Sequence, residues 1–377
     1  MDPAGLYIHV PFCSRVCPYC DFAVTIAGGD RRQGYVDALE REIERSQELE
    51  FEFDTVYFGG GTPSSLSVDR LRRIVAAVRS HLVLSSDTTW SLEVNPEDVT
   101  PAAATSWREL GFDVVSLGVQ SFNDDELTFL GRRHTALQAR LTAECLIECG
   151  FSTVSLDLIF GLPGETADLW RRRLETALEL GVGHLSCYQL TIHDGTRFAN
   201  RRQRGELAEL DEDDQADLYL LTHEVLGEAG WHAYEVSNFA AAPVHRSRHN
   251  RKYWNHVPYL GLGPSAHSFD GRRRWWNLRK VRLWTAAAAH GQSTIAGEEQ
   301  LGDRELASEA VMLGLRTADG LDLDAHRRRF GDALGLLDDS ALDRMVACGF
   351  LEHNGGRLTP TARGMAVADG LARFLMP

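Results

Sequence analysis

Three cysteines stand close together near the start of the chain. They lie in Tyr7-Ile8-His9-Val10-Pro11-Phe12-Cys13-Ser14-Arg15-Val16-Cys17-Pro18-Tyr19-Cys20-Asp21-Phe22, with the spacing C-x3-C-x2-C. Thiolates so near in sequence share one loop, and a group of thiolates is a soft metal site. Two chemistries fit. With His9 as a fourth ligand they make a structural Cys3His zinc site, although His9 falls inside an apolar, β-like run and no second knuckle follows. The other is a [4Fe–4S] cluster on Cys13, Cys17 and Cys20. Such a cluster normally takes four thiolates, so three leave one iron open. The amino and carboxylate groups of S-adenosylmethionine (SAM) can chelate that iron, and reduction of the sulfonium through the cluster then breaks a C–S bond to give an organic radical. The remaining Cys145, Cys149, Cys187 and Cys348 have apolar neighbours and read as core residues, not as a disulfide framework.

Polar groups recur after successive β-like runs. They are Gly59-Gly60-Gly61-Thr62-Pro63-Ser64, then Glu93-Val94-Asn95-Pro96, then Gly118-Val119-Gln120-Ser121-Phe122 with Arg132 beyond it, then Asp157 through Thr166. Glycines let the backbone approach a ligand closely. Alone, each segment reads as an ordinary turn or surface carboxylate. Together they fall at the ends of consecutive strands, and such ends converge on one mouth.

The elements that place them alternate. Strands are expected at Leu6–Val10, Thr55–Phe58, Thr89–Val94, Val114–Val119, Val154–Ile159 and Leu185–Leu190, with helices near 33–49, 67–82, 101–110, 135–149 and 167–180. This is an α/β pattern of right-handed βαβ units with a parallel sheet. Six units suit an open, partial (β/α)6-type barrel, with a doubly wound sheet as the alternative. An acidic stretch, Glu206–Asp217, opens a further helix. Residues 1–230 are expected to form the barrel, 231–300 an aromatic and His-rich extension of it, and 301–377 a mostly helical, winged-helix-like C-terminal domain.

The 377 residues are 44% apolar and 25% charged, with no run near the ~20 apolar residues of a membrane helix. The N-terminus has no signal-peptide pattern, and a cytoplasmic location is expected. A net charge of −15 argues against nucleic-acid binding. The basic group Arg272, Arg273, Arg274, Arg279, Lys280 and Arg282 is interleaved with Trp275, Trp276 and Trp284 and reads as a solvated edge. Residues 245–284 supply His245, His249, His256 and His267, four Trp and several Arg. Imidazole, aromatic walls and cations are what a haem requires, yet the same residues could simply cover a barrel mouth.

The cysteine segment, with Tyr19 before the last Cys, resembles the radical SAM superfamily. The whole chain resembles its coproporphyrinogen dehydrogenase-like (HemN/HemW) branch. The resemblance implies a [4Fe–4S] cluster, SAM and an electron donor. It implies that Tyr7, Gly60 and Glu93 contact the cluster-bound SAM. It places Tyr19, Gly61, Thr62, Gln120, Arg132, Asp157 and Thr191 around a second SAM. The branch holds two functional classes: oxygen-independent coproporphyrinogen III dehydrogenases, which are oxidative decarboxylases, and haem chaperones that pass haem to an acceptor protein. Three features favour the chaperones. Phe22 stands where the dehydrogenase pattern has a further Cys, little chain precedes Cys13, and His249-Asn250-Arg251-Lys252-Tyr253-Trp254 matches an H-N-x-x-Y-W motif of the chaperones. The Gly-rich run Tyr259–Phe269 follows it. By this resemblance His249 is the first haem candidate, with Tyr253 and Trp254 walling the pocket and His267 and His256 as further ligands.

Overall fold

The computed structural model describes residues 2–331 and 337–376. Its first half is the expected alternation: β1 (Ala4–Val10), α1 (Gly29–Ser46), β2 (Glu52–Gly60), α2 (Val68–His81), β3 (Val83–Val94), α3 (Pro101–Glu109), β4 (Val114–Gln120), α4 (Asp124–Phe129), α5 (Ala136–Glu148), β5 (Thr153–Phe160), α6 (Ala167–Glu179) and β6 (His184–Gln189). The helices start where hydroxyls can cap them. Ser67, Thr100, Thr135 and Thr166 each accept a backbone N–H three residues on. The short α4 lay hidden because its six residues are too few to show a period.

The strands carry two messages in alternate residues. Leu6, Ile8, Val10, Val56, Phe58, Leu92, Val94, Val115, Leu117, Leu156 and Leu158 are buried in the main core. Between them lie Tyr7, His9, Tyr57, Glu93, Ser116 and Asp157 on the opposite, inward side. Burial of the first set fixes the register, and the register then delivers the second set to the lumen.

The order β9-β1-β2-β3-β4-β5-β6 is parallel throughout, where β9 is Tyr259–Leu262. Sequence reading anticipated six parallel strands, and β9 is a seventh. It escaped notice because it is four residues long and contains a glycine. The sheet continues antiparallel through β10 (His267–Phe269), β11 (Arg273–Asn277) and β12 (Ile295–Gln300) on one edge. On the other edge are β8 (Asn238–Ala240) and β7 (His232–Ala233), reached through α7 (Arg197–Gln203) and α8 (Glu212–Glu228). Between β8 and β9, α9 (Arg248–Trp254) crosses the foot of the barrel, and α10 (Val281–Ala289) packs on α1.

One buried carboxylate ties the edge strands to the barrel. Glu42 of α1 accepts from Gly263 N (2.7 Å), Asn277 Nδ2 (2.9 Å), Trp284 Nε1 (3.1 Å) and Thr294 Oγ1 (2.7 Å). Burial pushes its pKa up, and these four donors oppose that.

The C-terminal region runs α11 (Asp303–Gly314), β13 (Leu321–Asp322), α12 (Leu323–Phe330), α13 (Asp339–Ala347), β14 (Leu351–Asn354) and β15 (Arg357–Pro360), followed by α14 (Ala362–Ala366) and α15 (Ala368–Leu375). Helix–strand–helix–helix–strand–strand is a winged-helix order. It has its own core around Leu315, Leu342, Leu358 and Leu375. Of the four cysteines read as core, Cys187 is buried. Cys145 and Cys149 are half-buried, and Cys348 is exposed because it caps the end of α13. Among the described residues no helix is long and apolar enough to cross a membrane.

Replacing Glu42 by Ala strands four donors, three of them buried. We expect a loss on the order of 3 kcal/mol or more, read as a lowered denaturation midpoint, with Glu42→Gln intermediate. An unchanged midpoint would refute the role assigned to Glu42.

Candidate functional site

The loop after β1 is pinned at both ends by backbone bonds. Thr25 N donates to Pro11 O (2.7 Å) and Cys13 N to Thr25 O (3.1 Å). From the neighbouring strand, Gly61 N reaches Val10 O (2.8 Å) and Thr62 N reaches Phe12 O (2.7 Å). A Cβ on Gly61 would meet Phe12 O at 2.8 Å, so only glycine lets the two segments come this close. Gly60 takes φ +108° and turns its N–H onto Glu93 Oε2 at 2.9 Å.

His9 does not turn toward the cysteines. Its Nε2 lies 3.0 Å from Ala23 O, which can only accept, so Nε2 carries the proton and Nδ1 accepts from the Tyr7 hydroxyl at 3.2 Å. His9 is thus a brace beneath the cysteine loop. Among the described residues no three His, Cys, Asp or Glu side chains converge on a single metal ion. A Cys3His zinc site is not what these residues build.

A cavity of about 430 Å3 opens on the loop and is lined by Cys13, Cys17, Tyr19, Cys20, Gly60, Gly61, Thr62, Glu93, Gln120, Arg132, Asp157 and Thr191. Every cluster and SAM residue expected from sequence therefore shares one mouth, except Tyr7. It lies a layer lower, stacked on Tyr57 (centroids 6.2 Å apart) with its hydroxyl on His9.

The fit to an iron–sulfur cluster is tested by what faces the sulfurs. Thr62 Oγ1 donates to Cys13 Sγ (3.5 Å) and Arg132 Nη1 to Cys17 Sγ (3.7 Å). Burial, with the neighbouring Cys20 and Cys17, pushes the Cys13 thiol up to about 11 even against Thr62 and Arg132, which pull it down. Donors and a guanidinium aimed at sulfur favour the thiolate, the form that ligates iron. The three cysteines fit.

Deeper in, Tyr57 OH donates to Glu93 Oε1 (3.0 Å) and Ser116 Oγ to Asp157 Oδ1 (3.0 Å). Burial raises Glu93 to about 7, helped by the Asp157 charge, and burial raises Asp157 to about 6. Two carboxylates that are expensive to ionise when empty suit a cationic ligand. Gln120 adopts φ 69°, unusual for a side-chain-bearing residue, at the end of β4 where it lines the cavity. Sequence reading passed over Asn95, which holds Thr62 Oγ1 (3.0 Å) and Arg132 Nη2 (2.5 Å) together. It also passed over Tyr57 and Ser116. For Asn95 a signal existed in its place two residues after Glu93. Tyr57 and Ser116 are common strand residues, visible only as inward positions.

The haem candidates scatter. His249 is buried, its Nδ1 2.9 Å from Thr55 Oγ1 and its Nε2 2.9 Å from Tyr253 OH. Both nitrogens are engaged, burial lowers its pKa to about 3, and it lies at the foot of β2, away from the cysteine mouth. Tyr253 packs on His249 and Tyr259. Trp254 faces a different cleft, with Asp319 and Arg357 of the C-terminal region. The H-N-x-x-Y-W motif therefore does not gather as one haem pocket. His245 is held by Thr153, and His256 by Glu309. His267 is exposed, on the same inner face of the sheet extension as Trp276, its ring 5.8 Å from that indole. The first three of the basic group are paired: Arg272 with Asp303, Arg273 with Glu298, and Arg274 with Glu299 and Glu309.

Residues 7–202 match the model of the Radical SAM superfamily, and residues 301–367 that of the HemN C-terminal domain. The chain belongs to the radical SAM superfamily. A protein named heme chaperone HemW from Mycobacterium tuberculosis H37Rv is 39% identical over 100% of this chain and 95% of its own length. One of the same name from Bacillus subtilis 168 is 32% identical over 96% of each. These relatives put the chain in the HemW branch of the superfamily. The solved coproporphyrinogen III oxidase (HemN) from Escherichia coli has a TM-score of 0.86 with 22% identity, covering 99% of this chain and 90% of that one, and it confirms the barrel. Radical SAM membership carries with it a [4Fe–4S] cluster and SAM.

A pH effect follows from Glu93. Its folded pKa of about 7 lies above its ordinary 4.5, so between these values the folded chain holds a proton that the unfolded chain releases. Stability of the cofactor-free chain should fall as pH rises through this window, by on the order of 1–3 kcal/mol. In Glu93→Gln the fall should be smaller by that amount, what remains coming from buried Asp157 and Glu235, as measured by urea denaturation from pH 4 to 8. Parallel pH profiles for the two chains would refute the assignment.

Proposed function

We propose that this chain is a haem chaperone of the HemW kind, binding haem, a [4Fe–4S] cluster and SAM and passing haem to an acceptor protein. The observation that carries it is similarity along the whole chain to proteins of that name, at 32–39% identity. Phe22 agrees with it: it is 63% exposed at the rim of the mouth, where the dehydrogenase pattern has a further cysteine.

Cys13, Cys17 and Cys20 hold the cluster in this reading, with Thr62 and Arg132 donating to two of the sulfurs. A cluster with three protein thiolates supplies an open iron for SAM and an electron from an external donor. Glu93 and the Gly60 backbone meet the SAM nearest the cluster, with Tyr7 supporting them from below. Tyr19, Gly61, Thr62, Gln120, Arg132 and Asp157 form the wider wall, with Thr191 at its rim. Glu93 and Asp157 gain charge as a cationic ligand enters, offsetting their desolvation. For haem, the exposed His267 is the imidazole open to an axial position, with Trp276 beside it as a flat apolar wall.

Haem titration of the reconstituted protein should give a Soret band, and coproporphyrinogen III with SAM and reductant should remain unconsumed. His267→Ala should shift that band or lower haem occupancy, with the iron–sulfur absorption retained. Accumulation of decarboxylated porphyrinogen would favour the dehydrogenase reading instead. A haem spectrum indifferent to His267 would remove the ligand assignment.

A further inference from the structure

The H-N-x-x-Y-W segment needs a role that its geometry allows. Helix α9, which carries all of it, is clamped across the foot of the barrel. Lys252 Nζ bonds Asp54 Oδ1 (2.6 Å) and Pro3 O (2.6 Å), and Arg248 bonds Asp87 Oδ2 (3.0 Å). These contacts hold α9 to β1, β2 and β3 at their starts. From this platform His249 points up into the lumen, fixed at both nitrogens by Thr55 and Tyr253.

The ring of His249 lies under Tyr57, stacked at 5.1 Å with 20° between the planes. Tyr57 in turn donates to Glu93 Oε1 at 3.0 Å, while Gly60 N holds Oε2 at 2.9 Å. His249, Tyr57 and Glu93 together line one side of a cavity of about 500 Å3 beneath the mouth, and Gly59 closes the other side of the Tyr57–Glu93 contact. A Cβ at Gly59 would lie 2.9 Å from both Glu93 Oε1 and Tyr57 Cε1. Thr55 and Tyr57 are successive inward residues of β2, so His249 touches two rungs of one strand. The line α9–His249–Tyr57–Glu93 is a continuous packed pillar from the foot of the barrel to the carboxylate in its mouth.

We infer that His249 is a positioning residue for the SAM site, acting through Tyr57 on Glu93, and that it does not ligate haem. This rests on the reading of Glu93 as a SAM contact. A neutral imidazole with both nitrogens occupied is a rigid support with no lone pair left for iron. Fixing Tyr57 aims its hydroxyl, which selects one carboxylate orientation for Glu93. Losing the support frees the carboxylate to rotate, and SAM then has to order it on binding.

The test is a mutant cycle on reconstituted full-length protein. SAM affinity is read from the change SAM causes in the reduced cluster's electron paramagnetic resonance spectrum, and haem affinity from the Soret band. Tyr57→Phe and His249→Ala should each weaken SAM binding roughly tenfold, the double variant little more than either, because both break one line of contacts. His249→Phe keeps the stacked ring and should recover most of the lost affinity. A merely structural role would instead lower SAM and haem affinity together, in step with the denaturation midpoint. Haem affinity should stay within about twofold of wild type in all of them. The inference is overturned if His249→Ala binds SAM normally, if the two losses add in full, or if haem binding is lost while SAM binding stays intact. Absence of any SAM effect on the wild-type cluster would instead sink the SAM reading of Glu93, and the inference with it.

Discussion

The site depends on the close parallel pairing of β1 with β2 at their C-terminal ends. Val10 O and Phe12 O accept from Gly61 and Thr62, and that contact fixes where the cysteine loop begins. Any side chain at Gly61 would force the two segments apart. Once the contact is made, Thr62 is in reach of Cys13, Gly60 is in reach of Glu93, and Asn95 links Thr62 to Arg132. The chemistry of the mouth is thus a consequence of strand register. The aliphatic residues on the outward side of the same strands set that register by burial.

Much of this was legible in the sequence, for a physical reason. A parallel strand buried beneath helices must be apolar on its outward positions, so polar residues at its end stand out. Gly60, Gly61, Thr62, Glu93, Gln120 and Asp157 stand out this way, Cys13, Cys17 and Cys20 by their spacing, and Arg132 and the roles toward SAM by resemblance to the family; one cavity gathers them all. Inward residues in mid-strand were harder. Tyr57 and Ser116 sit at positions where the sequence shows only an ordinary alternation. The four-residue β9 and six-residue α4 are too short for any period to register.

The larger departure concerns the H-N-x-x-Y-W segment. Histidine, tyrosine and tryptophan in one short run suggest a haem pocket by composition, since imidazole and aromatic rings are what haem contacts. Helical geometry divides them. His249 and Tyr253 are four apart and share the face turned into the barrel, whereas Trp254 projects one step round toward the C-terminal region. Contacts with Thr55, Tyr57, Asp319 and Arg357 come from residues far away in sequence, which local reading does not see. The basic Arg272–Arg274 run is similar. Its partners Glu298, Glu299, Asp303 and Glu309 lie on β12 and α11, and they cancel the charge that the run displays in sequence.

The central claim is that three thiolates leave one iron of the cluster to be chelated by SAM. The most direct measurement is electron–nuclear double resonance on the reduced cluster with SAM labelled at its amino nitrogen (15N) and carboxylate oxygens (17O). Hyperfine coupling from both labels to the cluster is the result this account predicts. Labelled SAM that binds, yet shows no coupling from either nucleus, would contradict it.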